Sequence, residues 1–466
     1  MNINHISKEK LTSRLTNLFG EKNILIDPES KLIYGKDLTN NFTPDPMAIV
    51  FPENQEQVVE LVKIANETKT ALVPSGGRTG YSAGAVAANQ EIVVSFEKMN
   101  KIISFDACDR SIKCEPGVTL KEIQNFASQN NLFYPIDFAP SDTCQIGGMV
   151  ATNAGGIKVI RYGLTRNWIS GLKVVTGNAD CLELNYGLIK NACGYDFRHL
   201  FIGSEGTLGF ITEVTVKLAP KPVDTKVVLL SVNNCRDFLT ILNLFQKKLI
   251  VSAFEFFSDS ALSYMLSESK LNHLFSQKTE FYILVEYESS CENDIESKNI
   301  IQNCINHNFV NNFLVSENKI QAKQFWRYRV EISRALNYYF PYKYDIAVLS
   351  SKIADFITQA DLLLLRIYSG FKIIWFGHAG DGNLHLNILK PNELDKSQFY
   401  SYCATASNEL YALIKQFRGA ISAEHGVGLL KKEFLKYSKS ETEINYMREI
   451  KKIFDRNNIM NPGKMI

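Results

Sequence analysis

The chain carries nine cysteines but not one C-x-x-C pair. That removes the obvious zinc-ribbon and iron–sulfur spacings and suits a reducing compartment. Long apolar runs are missing too. No purely aliphatic run is longer than that of Leu362–Leu365, far short of the ~20 residues a membrane span requires. The N-terminal stretch MNINHISKEKLTSRL holds no apolar segment of signal-peptide type. Excess charge is lacking as well: the net charge is +2, and no basic run interleaved with aromatics offers itself to nucleic acid. Neither internal repeats nor low-complexity segments occur. A soluble, cytoplasmic chain is expected, with peripheral membrane contact left open. Nothing sets an oligomeric state, and a homodimer is open to it.

What is present is globular in composition, 45% hydrophobic and 21% charged over 466 residues. That length exceeds one ordinary core, so two or more domains are expected. Histidine is scarce, yet two of the seven fall in Phe376–Ile388, FGHAGDGNLHLNI. The flanks FKIIWF and LHLNI are short, apolar and aromatic or β-branched, and read as strands. Gly380-Asp381-Gly382 between them supplies residues that tolerate positive φ in a tight hairpin. His378 and His385 are thereby brought across the turn to within reach of one cation. Downstream, Glu424-His425 in SAEHGVG offers a third ligand. Two imidazoles and a carboxylate suit zinc or manganese. A lone histidine in an apolar segment is usually a core residue; the two glycine-flanked motifs weigh against that here.

From the N-terminus, a helix and an irregular lead-in (FTPDPM) precede PENQEQVVELVKIANE. That run sets Val58, Leu61, Val62 and Ala65 on one helical face, with Glu53 and Asn54 at its polar start. A short strand, Ala71–Val73, leads into PSGGRTGYSAGA, whose free backbone N–H groups suit a pyrophosphate. Two more glycine clusters follow, SDTCQIGGMVATNAGG (Ser141–Gly156) and FIGSEGTLGFITEV (Phe201–Val214). So wide a spread is not the single-unit G-x-G-x-x-G fingerprint. It implies one long cofactor lying across several strand ends. Pro220 and Pro222 punctuate a boundary, beyond which runs such as Lys226–Val232 and Phe281–Tyr287 alternate with helical stretches.

The series PSGGRTG, EPGVTL, IGGMVATNAGG, RYG, IGSEGTLGFIT and NPGK resembles the flavoproteins of the vanillyl-alcohol oxidase type. HAGDGNLH and EHGVG narrow the resemblance to the FAD-linked D-2-hydroxy-acid dehydrogenases, the D-lactate, glycolate and D-2-hydroxyglutarate enzymes. It covers the chain from about residue 45 to the end. It implies an α+β fold: an FAD-binding domain over 1–220, an antiparallel-sheet cap for substrate over 221–420, and a segment 421–466 returning to the flavin.

By the same resemblance, Ser75, Gly76, Gly77, Arg78, Thr79, Gly80 and Ser82 belong to the pyrophosphate loop. Ser141, Gly147, Gly148, Thr152, Asn153 and Gly155 hold the middle and ring of FAD. Glu205, Gly206 and Ile211 come near the adenine end, and Asn461 closes on the ring. Arg78 and Ala83 depart from the family pattern, which has Gly or Asn at the first and often Gly at the second. The first loop has no histidine for covalent attachment, so non-covalent FAD is expected.

On the substrate side stands Trp326–Arg329 (WRYR). Arg329 and Ser333 lie one turn apart and can share a helix face, and an Arg fork suits a carboxylate. Taken alone, such a run is more readily a solvated charged helix. The resemblance makes Arg329 the substrate arginine, and puts Ser333 and Lys343 (in YKYD) where hydroxyglutarate-type enzymes hold the far carboxylate. Leu349 stands where relatives often carry Pro. His378, His385 and Glu424 are the implied metal ligands, His425 the base that takes the hydroxyl proton, and Asn387 a residue orienting the substrate carboxylate. Hydride would pass from Cα to flavin N5. The expected substrate is D-2-hydroxyglutarate, with D-lactate or glycolate the alternatives. A quinone, a cytochrome or an electron-transfer flavoprotein would take the electrons. A non-catalytic flavin-binding subunit of a larger oxidase complex is the competing class, which intact metal and base motifs oppose.

Overall fold

A computed structural model of the chain describes residues 7–39, 41–222 and 224–466. Residues 1–6, the start of the stretch read above for a signal-type run, lie outside the described residues. Two compact units result. One comprises the residues up to Gly155, Leu164–Lys221 and Glu424–Ile466; the other comprises Gly156–Gly163 and Pro222–Ala423. Among the described residues no helix is long and apolar enough to cross a membrane.

The first unit contains a four-stranded sheet in the order 24–25, 48–50, 92–95, 72–75 and a five-stranded antiparallel sheet. The smaller sheet is parallel except at its first pair. Helix Gln55–Thr68 covers it with Val58, Leu61, Val62, Ile64 and Ala65, and Asn54 caps the helix by accepting from Gln57 N. The cap satisfies one of the donors a helix start leaves open. In the larger sheet, strand Gly209–Lys217 lies between Ser111–Cys114 and Ile169–Thr176.

The second unit is built on a seven-stranded antiparallel sheet in the order 312–315, 225–232, 281–288, 251–258, 372–378, 383–389, 342–347. Alternation along each strand gives it two faces. The apolar members of the first face include Val227, Leu229, Phe257, Leu284, Ile374 and Phe376, packed under helices 259–267, 319–330 and 332–336. The second face packs Phe256 on Phe238, Trp375 on Phe356 and Tyr344 on Tyr411, from helices 238–246, 353–367 and 396–416.

Pairing between strands then sets a polar row on the first face. His385 is opposite both Phe376 and Asp345, and Asn387 is opposite Lys343. Phe256 pairs with Gly377, so one step outward Glu255 comes level with His378. The hairpin joining His378 to Asn383 closes with Gly382 N donating to His378 O at 3.1 Å. Only one of its two glycines needs a positive φ. Gly382 has φ +89°, whereas Gly380 is crowded: a Cβ there would meet Ile160 Cδ1 at 2.6 Å and the Cβ atoms of Ile160 and Phe254 at 3.3 Å.

Candidate active site

The polar row is buried and tightly bonded. His378 and His385 are diagonal neighbours with ring centroids 5.2 Å apart. His378 Nδ1 is 2.8 Å from Glu255 Oε1, and Arg329 Nε is 2.9 Å from Glu255 Oε2. The second contact is an ion pair without a formed hydrogen bond: Arg329 Nε and Nη2 are buried and lack a hydrogen-bond partner among the described residues. The Arg329 guanidinium also lies over the Phe376 ring, 5.1 Å from its centroid. Its helix, Lys319–Val330, stops one residue before Ile332–Leu336, which carries Ser333. Glu331 between them keeps φ −78° and ψ −12°, so the turn is nearly continuous. Trp326 Nε1 donates to Glu286 Oε2 at 3.0 Å.

Asp345 is fully buried. Its Oδ1 accepts from Asn383 Nδ2 at 2.9 Å, and its Oδ2 from Ser422 Oγ at 3.1 Å and Ala423 N at 3.0 Å. Glu424 and His425 are the next two residues of the chain. Within the cap unit His385 Nδ1 is 3.9 Å from Asp345 Oδ1, and within the first unit His425 Nε2 is 3.4 Å from Glu424 Oε1; each pair offers a metal an imidazole beside a carboxylate. Lys343 Nζ donates to Asn337 Oδ1 at 2.8 Å, and burial pulls its ammonium down to about 8. Asn387 is buried, and its Oδ1 has no hydrogen-bond partner among the described residues.

In the first unit the glycine loops meet. Ser75 ends strand Leu72–Ser75, and Gly76, Gly77, Thr79, Gly80 and Ser82 follow it. Gly147, Gly148 and Thr152 lie on helix Ile146–Thr152, with Asn153 as its left-handed C-cap; Ser141 precedes it and Gly155 follows it. Thr152 Oγ1 donates to Gly148 O at 3.0 Å, and Asn153 Oδ1 accepts from Arg166 N at 3.1 Å. Ile211 belongs to the core, and Gly206 packs so closely on Pro74 that a Cβ would meet its Cγ at 2.4 Å. Glu205 accepts from Val427 N at 2.6 Å and Gly428 N at 2.8 Å. Burial pushes its carboxyl above the usual range, against those two N–H groups. Asn461 Nδ2 donates to Glu205 O at 2.7 Å and Gly84 O at 3.0 Å. The Tyr81 and His425 ring centroids are 5.2 Å apart.

This cradle suits a polar, extended cofactor. Ser75 Oγ, Gln145 Oε1 and Asn461 Oδ1 are buried without hydrogen-bond partners among the described residues. Such orphans are costly unless a ligand meets them. A Cβ added at Gly148 would meet nothing within 4 Å, so open space adjoins them.

Comparison with known proteins agrees. Residues 221–465 match the family of FAD linked oxidases, C-terminal domain, and residues 46–185 match the FAD binding domain. The chain is 47% identical over 456 residues to the D-2-hydroxyglutarate dehydrogenase of Stutzerimonas stutzeri, covering 98% of each. It belongs to the FAD-linked D-2-hydroxy-acid dehydrogenase family. A mitochondrial D-2-hydroxyglutarate dehydrogenase of Arabidopsis thaliana is 33% identical, over 98% of this chain and 81% of that one. In fold, the dehydrogenase is similar to p-cresol methylhydroxylase, with TM-score 0.78 at 16% identity, over 98% of this chain and 96% of that one. It is an FAD-dependent oxidoreductase with an FAD-binding domain and an antiparallel-sheet cap.

Arg78 and Ala83 share a backbone conformation, with φ of 57° and 60°, the left-handed region that glycine enters without a Cβ penalty. The Arg78 side chain pairs with Glu97 at 2.9 Å and lies over Tyr34, 4.4 Å from its centroid. Sequence reasoning misses Glu255, Asp345, Asn383 and Gln145. A single charge inside an aromatic strand, as in VSAFEFFS, is the available signal for Glu255.

Proposed function

We propose that this dehydrogenase oxidises D-2-hydroxyglutarate to the 2-oxo acid, using a divalent metal, zinc or manganese, and non-covalent FAD. The observation that carries the substrate is Arg329, a buried cation whose Nε faces Glu255 Oε2 at 2.9 Å while its Nη2 lacks a hydrogen-bond partner among the described residues. Such a group calls for a carboxylate. A second cation, Lys343, lies on the same sheet face as Phe376, two strands across and two residues along, about 12 Å by sheet spacing. A dicarboxylate uses both cations; D-lactate uses one. The names of the curated relatives support the same substrate.

His378, His385 and Glu424 would hold the metal, a donor set suited to zinc or manganese. Asp345, occupied by three donors, is better suited to holding the loop before Glu424. When bound, FAD supplies the hydride acceptor at N5 and the metal supplies Lewis acidity. Arg329 and Asn387 orient the substrate, and Ser333 and Lys343 receive its far carboxylate. His425 takes the hydroxyl proton. The first loop, residues 75–82, has no histidine, which supports dissociable FAD.

Steady-state assays with a dye acceptor test this reading. D-2-hydroxyglutarate should exceed D-lactate and glycolate in kcat/KM by about 10–100-fold, the value of one charge-assisted contact. Equal or faster oxidation of D-lactate would overturn the assignment.

A further inference from the structure

We propose that Glu255 is a positioning residue that sets His378 and Arg329 together, an inference that rests on the metal-dependent reading above. Glu255 is 1% exposed and is the only charged residue in strand Val251–Ser258. One carboxylate oxygen faces His378 Nδ1 at 2.8 Å and the other faces Arg329 Nε at 2.9 Å. A carboxylate on Nδ1 selects the tautomer protonated there, so Nε2 is the atom His378 can offer a metal. The same carboxylate holds the Nε edge of Arg329, leaving Nη2 for a substrate carboxylate. One buried group therefore orients a metal ligand and the substrate cation.

The alternative is that Glu255 only balances the Arg329 charge. Zinc affinity separates the two without relying on turnover. Chelator-stripped wild type, Glu255→Gln, His378→Ala, His385→Ala and the Glu255→Gln/His378→Ala double variant are titrated with zinc by calorimetry. Glu255→Gln should weaken zinc about 10–100-fold, the usual effect of removing such a partner. In the His378→Ala background it should add less than about twofold, because the residue acts through His378. Unchanged affinity in Glu255→Gln, or an equal loss in both backgrounds, overturns the proposal. If wild type binds no zinc, or His385→Ala binds it as wild type does, the metal reading itself fails. Should Glu255→Gln not fold, Glu255→Asp takes its place in the same cycle, with the same outcomes deciding.

Discussion

Lys343 lies directly opposite Asn387 on the edge of the cap sheet. The pairing puts a cation and an amide side by side on the face that also carries His385. Lys343→Met should lower kcat/KM for D-2-hydroxyglutarate by about 10–100-fold, as loss of a charge-assisted contact implies. Oxidation of D-lactate should be nearly unchanged. Comparison of the two substrates in one variant checks this.

The same lysine gives a pH dependence. Burial lowers its pKa to about 8, and a carboxylate needs the protonated form. KM for D-2-hydroxyglutarate should be flat below about 8 and rise above it. For folding without substrate the sign is opposite. Above about 8 the unfolded chain binds more protons at this site, so its contribution to stability rises with pH. Initial rates and urea midpoints across pH ~7–10 read the two effects separately.

His425→Ala should keep FAD and lose about 10²–10⁴-fold in flavin reduction, the range for removing a general base. Stopped-flow absorbance with saturating substrate measures it.

Much of the fold is legible locally. The helix over Gln55–Thr68 follows from the spacing of Val58, Leu61, Val62 and Ala65, and the hairpin from strands flanking glycines. The partners of those elements are not. Glu255 meets His378 across 123 positions, and only strand pairing brings them level. From sequence alone Gly380 is a turn residue; in the structure it also packs against Ile160 and Phe254, the first in a segment that sequence order separates from the cap.

Glu205 joins the third glycine loop to the returning segment through Val427 N and Gly428 N. Glu205→Ala should cost about 3 kcal/mol of stability, since two N–H groups, that of Gly428 buried and that of Val427 part-buried, lose their carboxyl acceptor. Limited proteolysis should then cut near residues 424–430. Denaturant unfolding and peptide mapping check both effects.

The most direct test of the account is an anaerobic titration of the purified protein, followed in the flavin band near ~450 nm. D-2-hydroxyglutarate should bleach it, the L-isomer should not, and a chelator should block bleaching without releasing FAD. Bleaching that is indifferent to the chelator would contradict the metal-assisted mechanism, and a flavin that D-2-hydroxyglutarate does not reduce would contradict the function.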